Sequence, residues 1–357
     1  MKVAIVLGPV TGRGGMETVI SSVVNEYNNR LEGDMKVFLL GGSEDTTWLN
    51  KINSKSYHFI SLSEDSKFNR YLKCLVDAPA VLKDYNPDII LAADEKSVLY
   101  SKAISKFLRK KPKVGSWIHF SLTSIKSIYR KIIKTADFHL AISEGIKNEF
   151  GEFNLSRSSK VHLIYNPIQT NNNFIERPTG HSHFIYVGRL IYDGQKRVND
   201  LLESLSKVEG DWKLTVIGDG KDKLKLVDMA RELKINHKIS WLGWQESPWD
   251  NINEASALLL TSEYEGFPMV LLEAMSRGIP CISSDCPVGP SNIIQHDYNG
   301  WLYPIGELSK LSNILNQVVV DHNSLPSQLK VQKSIERFDT KLFIENLRNV
   351  FEIETRV

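Results

Sequence analysis

The sequence predicts an α/β protein: two doubly wound, Rossmann-like parallel sheets in two domains facing one another across a cleft. Three observations predict it. Apolar runs of strand length alternate with helix-period segments in both halves of the chain, the pattern of βαβ units whose sheet is covered on both faces. The alternation breaks once, at the polar stretch 169–183 with its three successive asparagines, which reads as an interdomain linker. The chain has 357 residues, enough for two cores.

The elements follow in order. Met1–Leu7 is a short apolar run ending at Gly8, too short for a signal peptide or a membrane span, and reads as the first buried strand. Further strands are expected at Lys36–Leu40, Ile89–Ala93, Lys113–Trp117, Phe138–Ala141 and Val161–Ile164, with helical patterns between them at Met16–Tyr27 and Lys96–Leu108. After Asn166-Pro167 and the linker, strands resume at Phe184–Val187, Lys213–Ile217, Lys238–Trp241, Ala257–Leu260, Cys281–Ser283 and Trp301–Tyr303. Ser334–Thr355 is amphipathic and helical and is expected to pack across the domain junction. The expected domains are therefore 1–168 and 169–333, followed by the helical segment 334–357. Ligands of such sheets bind beyond the carboxyl ends of the strands.

Hydrophobic content of 42% and charged content of 24% describe an ordinary globular chain. A net charge of +2 does not point to nucleic acid. The three cysteines, Cys74, Cys281 and Cys286, are odd in number and lack metal-ligand spacing, as expected of reduced thiols in the cytoplasm. From Lys96 to Ala136 there is no Asp or Glu, while Lys102, Lys106, Arg109, Lys110, Lys111, Lys113, Lys126, Arg130, Lys131 and Lys134 fall there, interleaved with Ile104, Phe107, Leu108, Ile125, Ile128, Ile132 and Ile133. Such a face suits an anionic bilayer or an acidic acceptor as well as plain solvent.

The most specific signal is Glu265-Gly-Phe-Pro-Met-Val-Leu-Leu-Glu273. Pro268 fits the first turn of a helix, which places Glu265 on a loop, Glu273 inside the helix, and the amides of Met269 and Val270 at an anion-binding helix start. A glycosidase pair sits roughly 5–9.5 Å apart, whereas eight residues of continuous helix would rise ~12 Å; with a loop between them the distance is not fixed, but a hydrolase pair is not favoured. Arg189, in Gly188-Arg189-Leu190, and Lys196 follow the first strand of the second domain, a fork of donors and a compact charge suited to a diphosphate. Arg197 reads as a solvent-facing bystander. Gly8-Pro-Val-Thr-Gly-Arg-Gly-Gly-Met-Glu17 opens a helix and fits either a phosphate cradle or an ordinary glycine turn. Gly218-Asp-Gly220 is another glycine turn. Trp244 could wall a base pocket or join Trp241 and Trp249 in a core. His119 lies just past a strand, where it could orient a hydroxyl. The chain has no Asp-x-Asp, no zinc-like ligand spacing and no Gly-x-Ser-x-Gly elbow.

Together these residues resemble glycosyltransferase family 4, the retaining, nucleotide-sugar-dependent enzymes of the GT-B fold, over nearly the whole chain. The marks are Gly14-Gly15-Met-Glu-Thr18, Gly188-Arg189-Leu190 with Lys196, Gly218-Asp-Gly220 and the Glu-x7-Glu pair Glu265 and Glu273. Within the family, Trp-x-His-Phe-Ser-Leu, Gly-Gln-Lys-Arg-Val and Glu-Gly-Phe-Pro-Met are similar to the lipopolysaccharide core 1,6-galactosyltransferase group. The resemblance implies roles residue by residue. Gly14 and Gly15 would meet the donor phosphates, and Arg189 and Lys196 the diphosphate leaving group. Glu273 would take the ribose. Glu265, with Phe267, Met269 and Val270, would hold the donor sugar; His119 would lie near the reacting carbon and Trp244 against the base.

What the resemblance implies is transfer of galactose or glucose from a UDP-sugar co-substrate, with no metal and no cofactor, to a cell-envelope glycan or glycolipid. The enzyme would be cytoplasmic, with region 96–136 touching the inner face of the plasma membrane. Alternatives are a GT-B nucleotide-sugar epimerase, a non-catalytic sugar-nucleotide-binding protein and, disfavoured by the missing dinucleotide fingerprint, a nicotinamide oxidoreductase.

Overall fold

The computed structural model describes residues 1–356 apart from 32, 63, 156–159 and 171–172. The chain forms two compact units, Met1–Pro167 with Phe338–Val357, and Ile168–Arg337.

In the N-terminal unit, β1 (Lys2–Leu7) is followed by α1 (Gly15–Arg30), β2 (Asp34–Leu39), β3 (Tyr57–Phe59), α2 (Lys67–Tyr85), β4 (Ile89–Ala92) and α3 (Glu95–Ser105). Then come β5 (Lys113–Ile118), α4 (Ser127–Ile133), β6 (Phe138–Ala141), α5 (Glu144–Glu152) and β7 (Val161–Leu163). The seven strands lie in the order β3-β2-β1-β4-β5-β6-β7, all parallel. The apolar runs are strands because both faces are covered: every residue of β4 and β6 is buried. The sheet is doubly wound, with the direction of winding reversing between β1 and β4. β3 escapes a hydropathy reading because it is a three-residue edge strand with no fully buried residue.

The C-terminal unit continues with β8 (Ser182–Val187), α6 (Val198–Leu205), β9 (Trp212–Ile217), α7 (Lys223–Glu232), β10 (Ile239–Gly243) and β11 (Ala257–Leu260). It closes with α8 (Met269–Met275), β12 (Cys281–Ser284), α9 (Pro290–Ile293), β13 (Gly300–Tyr303), α10 (Leu308–Val320) and α11 (Gln328–Lys333). Its sheet has the order β10-β9-β8-β11-β12-β13, again parallel, with the reversal between β8 and β11. The core joins Phe184, Tyr186, Leu201, Trp212 and Leu214 with Ile282, Trp301 and Leu315.

The polar stretch read as a linker is held along the C-terminal unit. Ile175 N–H donates to the Arg277 carbonyl at 3.1 Å, and Ala255 N–H to the Glu176 carbonyl at 2.9 Å. The Arg177 guanidinium reaches the Pro326 carbonyl. His183 lies inside β8, and two of the three asparagines, 171 and 172, lie outside the described residues. The expected helix Ser334–Thr355 is shorter: Asp339 accepts from Lys341 N–H and caps α12 (Thr340–Thr355). α12 belongs to the N-terminal unit, where Glu354, 1% exposed, meets Lys160 at 2.8 Å and His162 at 2.9 Å.

Candidate active site

The loops that leave β8 and β11 are neighbours, because these strands pair side by side at the reversal of the C-terminal sheet. That is where an open α/β sheet binds its ligand. From the β8 side, Lys196 Nζ donates to Glu265 Oε1 at 2.6 Å, with side-chain exposures of 13% and 9%. Ser262 Oγ donates to the same oxygen at 2.6 Å. The backbone ties the loops together: Glu263 N–H donates to the Gln195 carbonyl at 2.9 Å, and Thr261 Oγ1 donates to the Lys196 carbonyl at 2.9 Å. Arg189 Nη2 donates to Gln195 Oε1 at 2.6 Å, which aims the guanidinium without consuming its charge.

The β11 loop runs into α8 as the spacing predicts, with one correction. Pro268 is the residue before the helix, with φ −73° and ψ 92°, rather than its first helical residue. The first helical bond is Leu271 N–H to the Pro268 carbonyl at 3.0 Å, so Met269 and Val270 stand at the start of the helix. Phe267 and Met269 are buried. Glu273 lies inside α8, and Trp249 Nε1 donates to its Oε2 at 2.9 Å. The Arg277 guanidinium sits 4.9 Å from the centre of the Trp249 ring, and its Nη1 donates to the Glu273 carbonyl at 2.8 Å.

Three readings of the sequence change here. Arg197 is not a solvent-facing bystander: it meets Asp200 at 2.7 Å and Glu263 at 3.4 Å, and its hydrogen bond to Asp200 raises its pKa. The tryptophans separate: Trp249 is buried against α8, Trp241 packs on the core, and Trp244, after β10, is 41% exposed. Gly218-Asp-Gly220 is a support. Gly218 has φ +143°, and a Cβ there would lie 1.9 Å from the Gly188 carbonyl oxygen. The turn thus packs directly under the Arg189 loop, and Leu190 N–H donates to the Asp219 carbonyl at 2.9 Å.

In the N-terminal unit the glycine loop follows β1, at the other reversal. Gly12 has φ +78°, and its N–H donates to Glu17 Oε1 at 2.9 Å. Gly14 precedes α1, Gly15 is its first residue, and Glu17 is 3% exposed. Glu17 therefore folds back from the first helical turn, in the manner of a capping box, and spends a carboxylate on the loop's own amide. Asp94, after β4, accepts from Gly8 N–H at 2.8 Å. His119 follows β5; its ring is 4.6 Å from that of Trp117, and burial holds its pKa down to about 3. Gly8, Asp94 and His119 thus stand just past the carboxyl ends of β1, β4 and β5.

Residues 13–172 match the protein family Glycosyltransferase Family 4, and residues 168–334 match Glycosyl transferases group 1. The chain is 40% identical over 358 aligned residues to a lipopolysaccharide 1,6-galactosyltransferase of Escherichia coli strain K12, covering 98% of each chain. The chain is a family 4 glycosyltransferase of the GT-B fold. This glycosyltransferase is also 39% identical to a lipopolysaccharide 1,6-galactosyltransferase of Salmonella typhimurium, again over 98% of each. The solved structure of the lipopolysaccharide outer core galactosyltransferase WaaB, apo form, overlays with a TM-score of 0.83 at 38% identity and covers 99% of each chain. Anabaena Alr3699/HepE in complex with UDP-glucose overlays with a TM-score of 0.82 at 17% identity, covering 99% of this chain and 100% of that one, a likeness of fold.

The basic interval of this glycosyltransferase is part core and part surface. Ile104, Leu108, Ile125 and Ile133 are buried, whereas Leu99, Phe107 and Ile128 are 55%, 82% and 59% exposed. Lys102 and Lys110 pair with Asp137 and Asp88 from outside the interval, at 2.8 and 2.6 Å. Lys106, Arg109, Lys111, Lys126, Lys131 and Lys134 are exposed. Among the described residues no helix is long and apolar enough to cross a membrane. Nor do three His, Cys, Asp or Glu side chains stand together as a metal site among them.

Proposed function

We propose that this glycosyltransferase transfers galactose or glucose from a UDP-sugar to a hydroxyl of a cell-envelope glycolipid, the lipopolysaccharide core first among them, with retention and without a metal ion. The observation that carries the reading is the convergence of Arg189, Lys196 and Glu265 at the β8–β11 reversal. The choice of acceptor and sugar rests on the full-length similarity to the two 1,6-galactosyltransferases.

In the reaction the bond from the sugar's anomeric carbon to the β-phosphate oxygen breaks, and a bond from the acceptor oxygen forms on the same face. The acceptor proton passes to the departing phosphate. Arg189 and Lys196 stabilise the charge that gathers on the leaving group, commonly the largest catalytic term. Before the donor arrives, Glu265 balances Lys196. Once the diphosphate binds, Lys196 gains a second anionic partner, and Glu265 turns its acceptor capacity to the sugar hydroxyls. Glu273, oriented by Trp249, takes the ribose; Met269 and Val270 amides and Phe267 border the sugar, and Trp244 the base. Gly14 and Gly15 approach the phosphates, and His119 the hexose. The enzyme works in the cytoplasm at the inner face of the plasma membrane, with Phe107, Ile128 and the exposed lysines around them against the anionic bilayer.

The test is incubation of UDP-galactose or UDP-glucose in EDTA with a lipopolysaccharide core lacking that branch. A single added α-linked hexose is expected. A new nucleotide sugar formed without acceptor would instead mark an epimerase. For the bilayer, Phe107→Ser/Ile128→Ser should sediment less with phosphatidylglycerol vesicles, and equal sedimentation would remove that contact.

A further inference from the structure

Trp117, His119 and Asn166, all in the N-terminal unit, carry three buried polar side-chain atoms with no partner among the described residues: Trp117 Nε1, His119 Nε2 and Asn166 Oδ1. A buried polar atom left unpaired is costly, so each needs a reason. Trp117 is fully buried, and its ring packs on Phe343 of α12, with centroids 6.2 Å apart. Asn166, beyond the end of β7, is 2% exposed. Its Nδ2 lies 3.4 Å from His119 Nδ1.

A primary amide nitrogen only donates. With the amide nitrogen turned to the ring, His119 Nδ1 is the bare, accepting nitrogen, and a neutral imidazole then carries its proton on Nε2. Burial keeps the ring neutral, with its pKa down to about 3. We propose that Asn166 is a positioning residue for His119: its amide fixes the neutral Nε2–H tautomer and holds that N–H in reserve, unpaired, as a donor to an oxygen of the bound hexose. The inference rests on the donor-site reading of His119 given above. The opposite amide orientation would put the proton on Nδ1 and turn Nε2 into an acceptor, so the two arrangements present opposite hydrogen-bonding character to the sugar.

The tautomer is read directly from imidazole 15N shifts of the full-length, ligand-free protein at neutral pH, with the His119 signals identified by their loss in His119→Gln. The expected result is a protonated Nε2 and a bare Nδ1. In Asn166→Asp, nearly isosteric, the carboxylate can only accept, so the proton should move to Nδ1. Turnover should then fall by about tenfold or more, on the scale of a lost hydrogen bond that leaves its partners unsatisfied, with the KM for UDP-hexose within about twofold. Asn166→Ala, which releases the ring, should show both tautomers and an intermediate loss. A wild-type His119 protonated on Nδ1, or an Asn166→Asp enzyme that loses turnover without a change of tautomer, overturns the proposal. Normal turnover in His119→Gln would instead sink the donor-site reading of His119 and leave the tautomer result standing.

Discussion

Lys196 Nζ and Glu265 Oε1 lie 2.6 Å apart, on loops that leave two adjacent parallel strands, with little of either side chain exposed. A buried pair of this kind is weak support for stability when intact, but removing one partner strands the other charge. Lys196→Met and Glu265→Gln should each destabilise the protein, by up to about 3 kcal/mol. The double variant should lose clearly less than the sum. Urea unfolding of the four proteins reads the coupling, and strict additivity would show that the pair does not act as a unit.

Trp249 orients Glu273 through its indole N–H. Trp249→Phe keeps the ring and removes that donor. Affinity for UDP should fall by about tenfold, on the scale of one lost hydrogen bond to a charged group, while turnover at saturating donor changes little. Calorimetric titration with UDP checks it; an unchanged Kd would detach Trp249 from the nucleotide site.

Gly218 carries the Arg189 loop on a backbone that side chains rarely adopt, with the Gly188 carbonyl where a Cβ would go. Gly218→Ala should cost at least about 2 kcal/mol and impair turnover by shifting Arg189. Gly306→Ala also replaces a positive-φ glycine, but nothing lies within 4 Å of the added Cβ. It should cost less and leave turnover intact. Equal effects at the two positions would mean that the close approach has no functional weight.

His139 is buried beside Phe150 and within 2.7 Å of Ser116 Oγ. Burial holds its pKa down from 6.5 to about 4. Between those values the unfolded chain binds the proton and the folded one does not. The contribution to stability is therefore complete above pH 6.5 and declines as the pH falls toward about 4, by at most about 3 kcal/mol. His119 acts in the same sense. His139→Gln should flatten the fall in stability between neutral and acid pH, as read by urea unfolding, and a parallel fall in both proteins would contradict this origin.

Much of this was legible in the sequence because parallel strands covered on both faces are continuous apolar runs: Ala257–Leu260 and Phe138–Ala141 are buried throughout. β3 was not, since an edge strand of three residues, none of them buried, leaves no hydropathy signal. Glu265, Glu273, Arg189 and Lys196 stand out because turn chemistry and strand ends fix their placement locally. Trp249, Gln195 and Asn166 do not. The partners of Trp249 and Asn166 lie 24 and 47 residues away and are decided by tertiary folding, while Gln195 meets Arg189 six residues off only through the path of their shared loop. The same limit hides the Glu263 partner of Arg197, 66 residues away, whereas its partner Asp200, three residues on, was a local signal that the bystander reading passed over.

The most direct test is the affinity of the full-length protein for UDP in EDTA, compared between wild type and Lys196→Ala. A diphosphate cradle built from side-chain cations predicts wild-type binding that is indifferent to the chelator and weakened by about tenfold or more in the variant, the loss of one buried charge contact. Binding that vanishes in EDTA and returns with magnesium, or a Lys196→Ala protein that binds UDP as tightly as wild type, would contradict it.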